Sequence, residues 1–307
     1  MNTWMGEYML EKLQKMLGEA KVLVKEPMAA HTTFRIGGPA DYFVMPETVE
    51  ELANVLKLCR EEKVPYFILG NGSNLLVGDK GFSGVVIQLY KNFDGLSIEG
   101  TKVTAKSGAM LIRVAKEAAK AGLTGLEFAS GIPGTIGGAM VMNAGAYGGE
   151  MKDVVTSVTV LTKNGDIKTL SGEEMNFRYR GSVVEEEGYI VLEAVMELAE
   201  GKLEEIQARI EELSVQRRTK QPIEYPSAGS TFKRPEGYFA GKLIQDANLR
   251  GYQVGGAQVS EKHCGFVINA GGATAADVMQ LMQDVSDRVK EQFGVTLEPE
   301  VKRIGEF

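Results

Sequence analysis

The sequence predicts an α+β protein with two lobes, and three observations carry that expectation. Strand-like and helix-like segments alternate irregularly over the first two hundred residues, which suits an α+β lobe better than a regular doubly wound sheet. The texture changes near residue 200, where a charged helix and then a Gly-rich stretch follow. At 307 residues the chain is long for one compact core. Residues 1–200 therefore read as one domain, with subdomains of about 1–70 and 71–200, and residues 201–307 as another.

Each element has a local cause. Leu10, Leu13 and Leu17 recur at helical spacing and predict a short amphipathic helix. Thr48 with Glu51 forms a capping box, after which Val49, Leu52, Ala53 and Leu56 share one face. Pro65 closes that region, and "YFIL" and "FSGVVIQL" read as strands. "KVTAK" is a strand, followed by a helix facing inward through Leu111, Val114, Ala115 and Ala118 and stopped at Gly122. "VTSVTVLTKNGDIKTL" alternates on both sides of Asn164-Gly165, a hairpin signal. Residues 203–218 predict a helix with Leu203, Ile206, Ile210 and Leu213 on one side. A short helix is expected near 240–247, "CGFVINA" as a strand, and a long helix from the Thr274 cap to Phe293 with Gly294 beyond it.

Composition narrows the function. Hydrophobic residues make up 44% and charged residues 24%, and the formal net charge is -7, values of a soluble globular protein without a broad basic face for nucleic acid. Cys59 and Cys264 are the only cysteines and form no CxxC, which disfavours a disulfide framework or thiolate metal site and suits a reducing compartment. Two histidines, His31 and His263, are too few for a histidine-rich metal centre. The N-terminal stretch lacks the pattern of a signal peptide, and no apolar run approaches the ~18 residues that span a bilayer. A cytoplasmic protein without membrane or nucleic-acid partners is expected.

Two segments have the composition of phosphate cradles: "LGNGSNLLV" (69–77), directly after a strand, and "SGIPGTIGGAMVMNAGAYGG" (130–149). Glycine lets backbone approach an anion and turn its N–H groups inward, and Ser73, Asn74 and Asn143 are candidate neutral donors. One such segment alone reads as tight turns; two in one lobe favour a dinucleotide site. Neither fits GxGxxG between strand and helix, and GxxxxGK[ST] does not occur.

Polar candidates for chemistry are few. In "NFRYRGS" an extended backbone puts Arg178 and Arg180 on one face and Tyr179 on the other, which alone describes a solvated pair. Glu298 and Glu300 flank Pro299 and likewise share a face if extended. His263 in "EKHCGF" reads as a strand-edge polar residue. Ser230, in "YPSAGSTFKRP", has no adjacent base and no GxSxG elbow; a hydroxyl beside cations is better suited to giving up a proton than to attacking carbon.

The ordered motifs "HTTFRIGGPA", "LGNGSNLLV", "GIPGTIGGAMVMNAGAYG", "YRGS", "SAGSTFKRP" and "LEPEVKRIG" span nearly the full length, and through them the chain resembles the UDP-N-acetylenolpyruvoylglucosamine reductase family of peptidoglycan synthesis. The resemblance implies a two-part FAD-binding lobe of the vanillyl-alcohol-oxidase (PCMH) type and a C-terminal substrate lobe. It implies non-covalent FAD, NADPH as hydride donor and UDP-N-acetylglucosamine enolpyruvate as acceptor; a monomer is expected, though the sequence carries no signal of oligomeric state. Carried over by motif, the catalytic positions are Arg180, Ser230 and Glu300. Arg35, Gly70, Asn71, Gly72, Ser73, Asn74, Gly131, Gly137, Gly138, Asn143, Gly145 and Ala146 fall to the cofactor. Tyr179, Arg218, Lys220, Lys233 and His263 fall to the substrate. Ser227 and Arg234 replace asparagines of some relatives, and the short spacing from Arg180 to Ser230 suits the branch without an extra tyrosine-bearing loop. Rival readings are an oxidase of the same flavin fold acting on a small alcohol, with His31 or Cys59 as covalent flavin anchor, and a non-catalytic nucleotide-sugar sensor.

Overall fold

Helix initiation at Thr48 follows its sequence signal: the Thr48 Oγ1 accepts the Glu51 amide at 3.1 Å, and α2 runs Val49–Glu61. The computed structural model describes residues 3–307, and the chain folds into two compact units. The first comprises the chain up to Val24, Tyr42–Asn71 and Gly84–Gln216; the second comprises Lys25–Asp41, Gly72–Ser83 and Arg217–Phe307. The helices in chain order are α1 (Thr3–Leu17), α2, α3 (Leu111–Lys120), α4 (Ile136–Met142), α5 (Val183–Glu187), α6 (Leu203–Lys220), α7 (Ala240–Asp246) and α8 (Ala275–Phe293).

The first unit has two cores. One gathers Leu13 and Leu17 of α1 and Leu52, Val55 and Leu56 of α2 against Tyr42, Val44, Val85 and Ile87, with strands Tyr66–Leu69 and Phe82–Gln88 parallel. The other lies under an antiparallel five-stranded sheet ordered 167–171, 155–161, 190–197, 102–106, 96–99. Leu111, Val114, Ala115 and Ala118 of α3 point into it as expected. Strands 155–161 and 167–171 form the expected hairpin. Its turn differs from a two-residue type: the Gly165 amide bonds Thr162 O at 3.0 Å and only Gly165 takes positive φ, 92°. That is a longer loop in which one left-handed glycine suffices. In α6, Ile206 and Leu213 are buried, but Leu203 is 39% exposed, correcting the expected stripe: the helix begins at Leu203, so its first turn overhangs the core.

The second unit carries a four-stranded sheet ordered 227–230, 266–269, 257–259, 253–254. α7 and α8 pack on it through Leu243, Ile244, Val278, Leu281 and Val285, together with Phe34, Ile36 and Leu76 from the early segments. Residues 302–304 pair in parallel with 75–77. α8 begins at a capping box between Thr274 and Asp277 and ends at Gly294 with φ 70°. None of the helices of the described residues is long and apolar enough to cross a membrane.

Candidate active site

Ser230 owes its setting to its small neighbours. Between Ser227, opposite Ile268, and Ser230, opposite Phe266, the register slips by one residue. Such a bulge bends a strand and re-aims the side chain that follows. Gly229 makes the bend with φ 77° and nothing within 4 Å of the place a Cβ would take, so conformation, not crowding, requires glycine there. Ala228 is buried and Ser230 half-buried.

Beyond the bulge the chain pairs with the segment holding the predicted acids. Phe232 bridges Pro299 in antiparallel fashion. The Lys233 amide donates to Glu298 O and the Glu300 amide to Thr231 O, both at 2.8 Å. Residues 298–300 are thus extended, and Glu300 is held by its backbone beside the residue that follows Ser230. The Asn74 Nδ2 donates to the Glu300 carbonyl at 3.2 Å, and the Lys302 amide to Asn74 O at 3.0 Å. Lys233 pairs with the exposed Glu298 at 3.4 Å. The Arg234 guanidinium lies over the Phe239 ring, 3.9 Å from its centre.

His263 sits in the turn before strand 266–269, not on a strand edge. Its Nδ1 accepts the Gly265 amide at 3.1 Å, which leaves the ring proton on Nε2. Burial lowers its pKa and keeps the imidazole neutral. Arg218 and Lys220 are exposed in the last turn of α6. Arg35 is exposed with φ 56°, its amide bonded to Thr32 O at 3.2 Å. Gly72 is buried where a Cβ would strike the His31 carbonyl, and Ser73 beside it is half-buried.

In the first unit the two Gly-rich segments meet. The Asn71 Nδ2 donates to Pro133 O at 2.6 Å, and a Cβ at Gly70 would strike the Thr135 hydroxyl. Thr135 caps α4, its Oγ1 accepting the Gly138 amide at 3.4 Å. Gly138 is exposed, and no atom but that hydroxyl crowds its missing Cβ. Gly131 is half-buried in the loop before. The Ile136 and Gly137 amides are already spent on Ala109 O (2.9 Å) and Ser107 O (2.8 Å), so Gly137 offers close approach but no N–H. Ser107 Oγ, buried beneath, has no hydrogen-bond partner among the described residues. An orphaned hydroxyl under a glycine-lined surface fits a polar ligand group, and these residues fit a dinucleotide cofactor. The sequence marked neither Thr135 nor Ser107.

Gly145 and Ala146 pair with Glu150 and Gly149 in a tight hairpin. Asn143 departs from the expectation of a free donor. Its Nδ2 donates to Glu150 Oε2 (2.5 Å) and Arg178 O (3.2 Å), and its Oδ1 accepts the Lys152 amide (2.9 Å). Every polar atom of that side chain is used within the protein. The arginine pair differs too. Reciprocal bonds between Arg178 and Gly181, at 3.0 and 3.2 Å, fold 178–181 into a turn with Arg180 at φ 56°. The two arginines therefore share no strand face. Arg178 pairs with Glu186 at 2.5 Å, whereas the Arg180 guanidinium lies 5.1 Å from the centre of the exposed Tyr179 ring.

The covalent-anchor reading loses Cys59 as a candidate. Cys59 is 1% exposed in the α2 core, and burial pushes its thiol up to about 12. His31 Nε2 is bonded to Glu26 at 2.8 Å.

Comparison with known proteins identifies the family. The family model described as FAD binding domain matches residues 40–171. That for the UDP-N-acetylenolpyruvoylglucosamine reductase C-terminal domain matches residues 221–304. The chain is 55% identical over 302 residues to the UDP-N-acetylenolpyruvoylglucosamine reductase of Caldanaerobacter subterraneus subsp. tengcongensis, covering 98% of this chain and 100% of that one. It is 54% identical to that of Clostridioides difficile, covering 96% and 97%. The crystal structure of the Thermus caldophilus reductase superposes with a TM-score of 0.80 at 38% identity over 93% of this chain and 98% of that one. A 4-ethylphenol oxidase from Gulosibacter chungangensis, at 14% identity and a TM-score of 0.50 over 65% of this chain and 43% of that one, shares the fold alone. With a vanillyl-alcohol-oxidase-type FAD lobe and a reductase C-terminal domain in one full-length match, the chain belongs to the UDP-N-acetylenolpyruvoylglucosamine reductase family, FAD-dependent oxidoreductases that form UDP-N-acetylmuramate for peptidoglycan.

Proposed function

We propose that the chain reduces UDP-N-acetylglucosamine enolpyruvate with NADPH, and that Arg180, Ser230 and Glu300 carry the substrate chemistry. The residues assigned to FAD would hold it, and the bound cofactor would supply hydride chemistry, passing reducing equivalents from NADPH to the terminal carbon of the enolpyruvyl group. Negative charge then builds on the neighbouring carbon and spreads into the carboxylate. Arg180 stabilises that charge, a contribution of roughly 3 kcal/mol for a well-aimed donor. The Ser230 Oγ–H delivers its proton to the carbon bearing the ether oxygen, and Glu300 orients the reacting group. Positive charge at Lys233 lowers the cost of the alkoxide left on Ser230.

Residues 1–200 are assigned to FAD and 201–307 to the substrate, although the stretches 25–41 and 72–83 and the boundary at 216 depart from that contiguous split, since those early stretches fold into the second unit. Arg35, Gly70–Asn74, Gly131, Gly137, Gly138, Gly145 and Ala146 are assigned to cofactor binding. Tyr179, Arg218, Lys220, Lys233 and His263 are assigned to the UDP-sugar. The cofactor is held non-covalently, and the enzyme acts as a cytoplasmic monomer.

The observation that supports this reading most is the bulge at Gly229, which spends a left-handed glycine on re-aiming one half-buried serine beside the strand of Glu300. The test is Ser230→Ala in stopped-flow. NADPH should reduce the flavin at nearly the normal rate, whereas reoxidation by the enolpyruvyl sugar should slow by about 10²–10⁴-fold. Equal slowing of both half-reactions would remove Ser230 as proton donor.

A further inference from the structure

We propose that Asn143 is a positioning residue that clamps the turn bearing Arg180, an inference resting on the assignment of Arg180 to the substrate carbanion. Arg180 holds φ 56°, a left-handed conformation that is unfavourable for any residue but glycine. Such a conformation persists only when its surroundings over-determine it. Both ends of the turn are fixed to the C-terminal end of α4. On the near side, the Arg178 carbonyl accepts the Asn143 Nδ2 as well as the Gly181 amide, each at 3.2 Å. On the far side, Ser182, fully buried, donates its hydroxyl to Val141 O at 3.1 Å.

The residue type at 143 is over-determined in turn. It is 1% exposed and is the C-cap of α4 at φ 43°, a region that asparagine, aspartate and glycine enter most readily. It must also donate twice, to the Glu150 carboxylate and the Arg178 carbonyl, while accepting once from the Lys152 amide. Only asparagine meets both demands. Aspartate keeps the conformation and the acceptor but loses both donors and sets a second carboxylate against Glu150.

The test is a double-mutant cycle on the holoenzyme. Wild type, Arg180→Ala, Asn143→Asp and the double variant are reduced with NADPH, then mixed with UDP-N-acetylglucosamine enolpyruvate while flavin reoxidation is followed. Arg180→Ala should slow reoxidation by about 10²–10³-fold. Asn143→Asp, acting through a misplaced Arg180, should slow it by up to about 100-fold in the wild-type background but by less than about twofold when Arg180 is already alanine. Effects that multiply, or an Asn143→Asp variant at wild-type speed, would overturn the inference. Reoxidation at full speed in Arg180→Ala alone would remove the arginine's role, and this inference with it. If Asn143→Asp loses its melting transition or its FAD, Asn143→Gly replaces it in the same cycle, since glycine tolerates the backbone while deleting the amide.

Discussion

Gly70→Ala should weaken FAD binding by displacing Thr135. A methyl at Gly70 would overlap the hydroxyl of Thr135, a buried residue whose hydroxyl accepts the Gly138 amide, so rotating it away would break that bond. Loss of an N-cap costs about 1 kcal/mol, and forcing a methyl into a packed site about 1–3 kcal/mol, so about 2–4 kcal/mol of stability is at stake. The amide freed belongs to Gly138, one of the glycines assigned to FAD. Titration of apoprotein with FAD, followed by flavin fluorescence, should therefore show affinity reduced more than about tenfold, since about 1.4 kcal/mol of lost binding energy is one decade. Gly100→Ala is the control: its Cβ would meet nothing within 4 Å and its φ is 59°, so it should cost stability alone. A Gly70→Ala protein that melts early yet binds FAD with normal affinity would show that the meeting of the two Gly-rich segments is structural only. Unchanged melting and affinity together would refute the steric argument itself.

Two further outcomes are expected. Asp277 accepts the Thr274 amide at 3.0 Å and the Gly256 amide at 3.2 Å, and these bonds, the Thr274 amide first, hold its pKa below the ordinary value against the opposing cost of burial. Its stabilisation is therefore complete above the unfolded pKa of about 3.9 and lost as pH falls through the lower folded value. Asp277→Ala should cost about 1 kcal/mol at pH 7, and the difference from wild type should shrink in melts below about pH 4; a constant difference down to the lowest pH would contradict the assignment. Acid precipitation should release all the FAD, because the Cys59 thiol is buried with its pKa pushed up to about 12; a yellow pellet would argue for a covalent link.

What was legible in the sequence was what short-range chemistry decides. The Thr48 and Thr274 caps, the Gly122 and Gly294 stops and the inward face of α3 all follow from spacing within a few residues. The motifs likewise marked Ser230 as a serine among small residues, and the structure supplied the reason, a bulge at Gly229. Long-range pairing was not legible. No local pattern shows that the Arg178 carbonyl will meet Asn143, thirty-five residues earlier, and that bond belongs to a turn that breaks the alternation "RYR" implies. Nor does composition reveal that the Gly137 amide is spent on Ser107. Leu203 misled because periodicity cannot say where a helix leaves the core behind.

The second unit is stitched from segments far apart in the chain, and this bears on the order in which it can fold. Phe34, Ile36 and Leu76 have their hydrophobic partners in α7 and α8, and the Asn74 side chain finds its carbonyl 226 residues later. During synthesis those early segments must wait, their apolar side chains uncovered, until residues 302–304 emerge to pair with 75–77. Closing so long a loop is slow relative to local helix formation, so the last step in maturation is the docking of the earliest-made pieces. A fragment beginning at α6 would lack them and leave that core open, the kind of exposed apolar surface that makes an incomplete chain prone to aggregate.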